Sequence, residues 1–147
     1  MGVNIKKNTV NAFHAEMRKR VDLVSFKVLS RAGENAVTFA RNLDTYKDQT
    51  ANLRNSIGYV IVHDGKIVSN LFSGSGDGAA KGQSYAKKIA SEAGGLNSKG
   101  WILIVVAGME YAAYVEAKGY DVLSGAGNML RSYISETIAQ IKAELKQ

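Results

Sequence analysis

Apolar residues recur at Val10, Phe13, Met17, Val21, Val24, Val28, Ala32, Ala36, Phe39 and Leu43, and every step is three or four residues. That period places them on one stripe of a helix. The pattern predicts a helix over about residues 8–43, roughly 50 Å long at 1.5 Å per residue. Such a helix is longer than a domain of this size is wide. It therefore either bends near Gly33, where glycine costs about 1 kcal/mol relative to alanine, or projects at one end onto a neighbouring subunit. Leu23, Phe26 and Leu29 form a second apolar line around its middle, which predicts contact with two partners rather than one.

Asp44 to Asn52 carries neither the helical nor the strand period and reads as a loop. Two β-rich runs follow, flanking Asp64-Gly65, a dipeptide suited to the positive φ angles of a type I′ turn. They predict a hairpin over about 53–72, with Val62 opposite Ile67, Ile61 opposite Val68 and Ile57 opposite Phe72. The stretch from about 73 to 84 holds Gly74, Gly76, Gly78 and Gly82 with little apolar matter, and reads as a glycine-rich surface loop before a short helix from Tyr85 to Ala93. Trp101 to Val106 is an unbroken run of large, mostly β-branched residues, the signature of a strand covered on both faces. This central strand, about 101–107, leads into a Tyr-rich helix over about 110–118 that Gly119 ends. A last helix, about 128–146, buries Leu130, Ile134, Thr137, Ile138, Ile141 and Leu145 along one face. The elements predict a single α+β domain, with a long N-terminal helix and a C-terminal helix packed on a small, mostly antiparallel sheet that contains a β-hairpin.

Composition narrows the function classes. With 147 residues, 46% hydrophobic and 22% charged, the chain is one soluble domain's worth, able to bury roughly two thirds of its unfolded surface. No apolar run approaches the ~20 residues of a spanning helix, and the N-terminus lacks an apolar signal core, so the expected site of action is intracellular or viral. There are no cysteines and no prolines, which excludes disulfides, thiolate metal sites and cysteine nucleophiles. The net charge of +6 is uneven, because residues 1–47 hold nine Lys and Arg against four Asp and Glu. Lys6, Lys7, Arg18, Lys19, Arg20, Lys27 and Arg31 form a candidate basic face on or near the first helix, either a solvated face or a surface for phosphates.

Candidate chemistry is sparse. His14 flanks the apolar stripe of the first helix and reads as a core or edge histidine. His63 adjoins the hairpin turn and reads as an exposed strand-end residue. Two histidines this far apart make no metal site. Glu110 and Glu116 are six residues apart and do not share a helix face, which weakens a paired-carboxylate mechanism. The glycine stretch fails the phosphate-loop pattern, because Lys81 is followed by Gly82 rather than by Ser or Thr. No G-x-S-x-G elbow is present. These readings imply no catalytic residue, cofactor or metal.

Two motifs in order along the chain carry a resemblance. Thr50-Ala51-Asn52-Leu53-Arg54-Asn55-Ser56-Ile57 opens the hairpin, and Gly108-Met109-Glu110-Tyr111-Ala112-Ala113-Tyr114-Val115-Glu116 follows the central strand, with Tyr111, Ala112, Tyr114, Val115, Glu116 and Gly119 at the characteristic spacing. Together with the long first helix and the last helix, they resemble the tail-completion, or head-tail joining, proteins of long-tailed bacteriophages. Ala51 stands where that family has glycine. The proline-containing approach to the last helix is replaced by Gly125-Ala126-Gly127-Asn128-Met129, and the segment from Ser73 to Gly100 is longer than the family's. The resemblance implies a structural virion protein, a neck ring subunit that joins the phage connector to tail-tube or terminator proteins. It would act at the head-tail junction of the virion, after assembly in the host cytoplasm, with self-association into a ring, non-specific contact with passing DNA and no membrane partner. Leu53, Arg54, Ile57, Tyr111, Tyr114 and Glu116 are then candidate interface residues or packing anchors. Two other readings fit the residues: a stand-alone nucleic-acid-binding protein using the basic face, and a small nucleotide-dependent enzyme around Lys81.

Overall fold

The computed structural model describes residues 2–43, 47, 51–72, 74–94, 99–110, 112–119 and 121–146, with the backbone alone for 2–7, 93, 94, 114, 144 and 145. The fold is α+β. Its elements are α1 (Gly2–Asn42), α2 (Asn52–Asn55), β1 (Ile57–His63), β2 (Lys66–Leu71), α3 (Gly76–Gly94), β3 (Trp101–Ala107), α4 (Ala112–Ala117) and α5 (Ser124–Leu145). The strands form one antiparallel sheet in the order β2-β1-β3.

The hairpin forms at Asp64-Gly65, where φ is 48° and 79°, the positive pair that a type I′ turn demands. Val62 pairs with Ile67 as expected, but a bulge in β2 shifts the register so that Ile61 faces Ser69 and Tyr59 faces Leu71. The extra residue, Val68, displaces the expected Ile61–Val68 and Ile57–Phe72 pairs, and Phe72 instead lies over Gly58.

The central, fully buried strand is β1, not β3, although β3 is covered on both faces as expected. Ile57, Tyr59 and Ile61 turn to a core shared with Ala36, Val37 and Ala40 of α1, Leu53, Ala112, Val122 and Ala126. Val60 and Val62 turn to a second core with Ala86 and Ala90 of α3. Trp101 to Ala107 splits its side chains between the same two cores, but β3 has a strand neighbour on one side only and is half-buried at most positions. A run of six apolar residues reads alike for a central strand and for an edge strand flanked by helices, which is why β3 resembles a central one in sequence.

The glycine-rich stretch is helical from Gly76, which corrects the expected loop over 73–84. Its glycines serve close packing. Gly78, Gly82, Ala86 and Ala90 recur every fourth residue and are all buried, so one face of α3 is a track of small residues that lets the helix axis approach the sheet. A Cβ on Gly78 would strike the backbone carbonyl of Asn52, and one on Gly82 the carbonyl of Ser56. Each glycine costs about 1 kcal/mol of helix propensity, which the packing against α2 and β1 must outweigh.

α1 runs through Gly33 as one helix of 41 residues, about 60 Å at 1.5 Å per residue. Gly33 faces the ring of Tyr59, which would stand 2.7 Å from an added Cβ. The face laid on the sheet joins the second apolar line, at Phe26 and Leu29, to the C-terminal end of the first stripe, at Ala36, with Val37 and Ala40 beside it; Ala32 of the first stripe is also buried. α5 begins at Ser124 rather than near 128, and it packs on α1.

Two stability changes follow. Gly82→Ala forces the α3 track off the Ser56 carbonyl, and chemical denaturation should show a loss of roughly 1–3 kcal/mol instead of the gain expected for alanine in a free helix. Ala51 adopts a left-handed conformation, φ 56° and ψ 5°, so Ala51→Gly should raise stability by about 0.5–1 kcal/mol as that strain is relieved, seen as a higher melting temperature.

Candidate interaction surface

The structure brings the two sequence motifs to one junction. Ser56, fully buried, closes α2 by donating its hydroxyl to the Leu53 carbonyl at 2.7 Å. Its own carbonyl accepts from the Gly108 N–H at 3.2 Å, where β3 ends. Gly82 of α3 is wedged against both. Leu53 and Ile57 are in the core at 1% and 0% exposure, so both are packing anchors. The Arg54 guanidinium donates to the Leu43 carbonyl at 3.3 Å, and that of Arg41 to the Ile57 carbonyl at 3.0 Å. Both tie the end of α1 to the start of the hairpin. Tyr111 and the side chain of Tyr114 lie outside the described residues.

Glu116 caps α5. Its Oε1 accepts from the Ser124 N–H at 2.8 Å, the Ser124 hydroxyl at 2.6 Å and the Leu123 N–H at 3.3 Å. A carboxylate at a helix N-terminus satisfies amides that have no partner within the helix and faces the positive end of the helix dipole. Burial pushes the Glu116 carboxyl up, but the hydrogen bonds from Ser124, Leu123 and Val122 outweigh it and hold the pKa below its ordinary value. Within the subunit Glu116 is thus a structural hydrogen-bond acceptor.

The exposed surface is dominated by the N-terminal half of α1. Phe13 is 61% exposed, Val21 57%, Val10 50%, Val24 47% and Met17 41%. These residues follow the first apolar stripe, and none belongs to either core. Arg18, Lys19, Arg20, Lys27 and Arg31 are exposed on the same helix, with Arg20 pairing to Glu16 at 3.4 Å in an i,i+4 contact worth a few tenths of a kcal/mol. The side chains of Lys6 and Lys7 lie outside the described residues. His14 is exposed, not a core or edge histidine.

The point where α1 leaves the sheet is anchored by a cluster that no sequence pattern brings together. The Trp101 indole N–H donates to Asp22 at 3.2 Å. The Trp101 ring stacks on His63 with centroids 4.0 Å apart and planes 10° from parallel. The His63 Nε2 stands 3.7 Å from Asp22 and 3.5 Å from Asp64, so His63 is half-buried in a cluster and is not a bare strand end. Beyond Asp22, about 20 residues of α1 extend roughly 30 Å as a helical arm. No sequence period links Asp22 to Trp101, because the contact crosses 79 positions.

Two features frame the sheet. Along the outer edge of β3, Ile104 to Ala107 floor a groove of about 320 Å³ walled by Tyr85 and Ile89 of α3 on one side and Ala112, Val122 and Leu123 on the other. At the opposite edge, β2 exposes Ile67, Val68 and Leu71. Lys81, Ser84, Tyr85, Lys88 and Glu110 line a separate open hollow. Among the described residues no cluster of three His, Cys, Asp or Glu could hold a metal ion, and no helix is long and apolar enough to cross a membrane.

The Glu116 cap gives a pH-dependent expectation. A depressed carboxylate pKa adds stability that is present above the unfolded value and is lost as pH falls through the folded value. Glu116→Gln should therefore destabilise the protein by about 1 kcal/mol at neutral pH, with the difference from wild type shrinking below about pH 4, as measured by thermal unfolding across pH.

Comparison with known protein families, curated proteins and solved structures finds no match to this chain.

Proposed function

We propose that this chain is a structural assembly subunit, a tail-completion or neck protein that forms a ring joining a phage head or connector to a tail tube. One observation carries the assembly part of this reading. The N-terminal half of α1 presents five large apolar residues at steps of three and four, each at least 41% exposed, along a helix that extends beyond the body of the domain. Scattered surface apolar residues are ordinary, but a continuous stripe along a projecting helix marks a protein interface. Head-to-tail contacts of this kind close into rings when the rotation between neighbours allows it.

The assignment to a phage neck is supported by the two resembling motifs, which meet at the Ser56–Gly108 hydrogen bond, and by the order of elements around them. The exposed cations of α1 suit a ring lumen through which DNA passes without base-specific reading. In this reading Leu53, Ile57 and Glu116 hold the subunit together, and the arm makes the contact with a neighbour. The connector and tail-tube or terminator proteins are its partners, and the virion's head-tail junction is its place. The reading assigns the protein no catalytic role and no cofactor.

The same exposed cations support a second reading, a stand-alone nucleic-acid-binding protein. That reading requires duplex binding that weakens steeply with salt, and no binding at low salt would remove it.

Phe13→Asp and Val21→Asp test the arm. Both side chains are exposed, so the substitutions should leave monomer stability within about 0.5 kcal/mol while shifting the particle-mass distribution from oligomer to monomer. Mass photometry of wild type and variants over a range of concentrations provides the measurement. A wild-type chain that is monomeric at every concentration, alone and with tail-tube protein, overturns the proposal.

A further inference from the structure

We propose that the sheet is completed between subunits, with the free edge of β2 from a second copy entering the groove beside β3 to make one sheet continuous around the ring. This inference rests on the ring reading and names the surfaces that close the ring.

Soluble proteins shield edge strands with lysine, proline, bulges, inward-pointing charge or a covering helix or loop. Trp101 to Ala107 has none of the first four, and the helices beside it, α3 and α4 with the start of α5, wall a groove along its edge. On its inner side it pairs with β1 at every residue from Trp101 to Ala107. On its outer side no described residue outside β1 makes a backbone hydrogen bond to it. An antiparallel strand turns alternate N–H and C=O groups outward, so this edge presents a row of donors and acceptors at the floor of an apolar groove. That is the arrangement that accepts an added strand.

The occupant is argued from shape, direction and charge. The groove has a helix on each side, α3 on one face and α4 with the start of α5 on the other, so it admits a strand with little attached to either face. β2 is such a strand. It contacts α3 only lightly and makes no substantial contact with α1 or α5. A second β3 is excluded by the same test, because two copies of the flanking helices would meet. The bulge in β2 is confined to its first half, and Ser69 to Leu71 pair regularly with β1. β2 and β3 both run antiparallel to β1, and so are parallel to each other. Copies related by rotation about an axis along the strands therefore set β2 beside β3 as a parallel pair.

Without axial rise, the levels within one subunit carry over to its neighbour. Tyr59 stands level with both Leu71 and Val105, so an incoming Leu71 falls at the groove floor beside Val105, facing Val122 and Leu123. His63 stands level with both Lys66 and Trp101, so an incoming Lys66 falls beside Trp101, where Asp22 and Asp64 have side chains 47% and 61% exposed. Apolar thus meets apolar at one end of the pair, and a cation meets two carboxylates at the other.

The chain has no cysteine, which makes disulfide trapping clean. Two single variants, Leu71→Cys and Val105→Cys, are prepared separately, mixed and oxidised. Within one chain β1 separates the two positions by about two strand spacings, roughly 9.5 Å, beyond disulfide reach. The expected result is a species of twice the chain mass that appears in the mixture and is absent from either variant alone. Leu71→Cys mixed with Glu136→Cys, an exposed position on α5 that does not line the groove, serves as the control and should give no such species. A dimer from Val105→Cys alone assigns β3 to a like edge and overturns the proposal. Rings or larger oligomers by mass photometry with no mixed disulfide also overturn it, while leaving the ring reading standing. A chain that is monomeric throughout and traps nothing overturns both.

Discussion

The structure depends on a strand that has no solvent face. β1 is buried from Ile57 to Val62, so both surfaces of a three-stranded sheet must be covered by helices at its centre. Large side chains meet the sheet on one face, with Phe26 and Leu29 of α1 reaching Tyr59, Leu103 and their neighbours. On the other face the cover is α3, whose small-residue track brings its backbone against the hairpin entry. Close approach maximises dispersion contacts per residue and removes water from the β1 backbone. It also explains why so much glycine is tolerated in a helix.

Covering β1 this way leaves the rest of the sheet underserved. With three strands, each face of the sheet is about as wide as one helix and a half, so among the described residues the flanking strands have no strand partner on their outer edges and β2 keeps a bare face. α1 is much longer than the sheet it covers, and its N-terminal half continues past the Asp22–Trp101–His63 cluster with its apolar stripe uncovered. Arm and edges are parts of the same economy: a small core stabilises one strand fully and leaves apolar surface that association can bury. The proposed ring function and the proposed strand addition both arise from that imbalance.

The cap on α5 shows how local and tertiary chemistry meet. Glu116 belongs to α4, yet its hydrogen bonds go to the first residues of α5. The short Gly119-containing connection places the carboxylate at the next helix's positive end. Glu116 therefore has a structural role within the single subunit.

Much of the architecture is determined by the sequence alone, because it is encoded in local periods. The three-and-four spacing dictates α1 and α5, Asp64-Gly65 dictates the hairpin turn, and the β-branched runs dictate β1 and β3. These signals act within a few residues, and no other part of the chain has to be known to read them. The tertiary structure decided what depends on partners distant in sequence. It decided that the glycines of 76–82 belong to a helix, since their track is meaningful only against the Asn52 and Ser56 carbonyls. It decided that the β2 register slips at a bulge, and that β1 rather than β3 lies at the centre, since an apolar run cannot report which neighbours it acquires. It also decided how far along α1 the apolar stripes are covered: Ala32 and Ala36 of the first stripe are buried, while Val10 to Val24 of the same stripe and Leu23 of the second line stay exposed. A helical period reports a face, and only the three-dimensional arrangement sets the length of that face that meets the sheet.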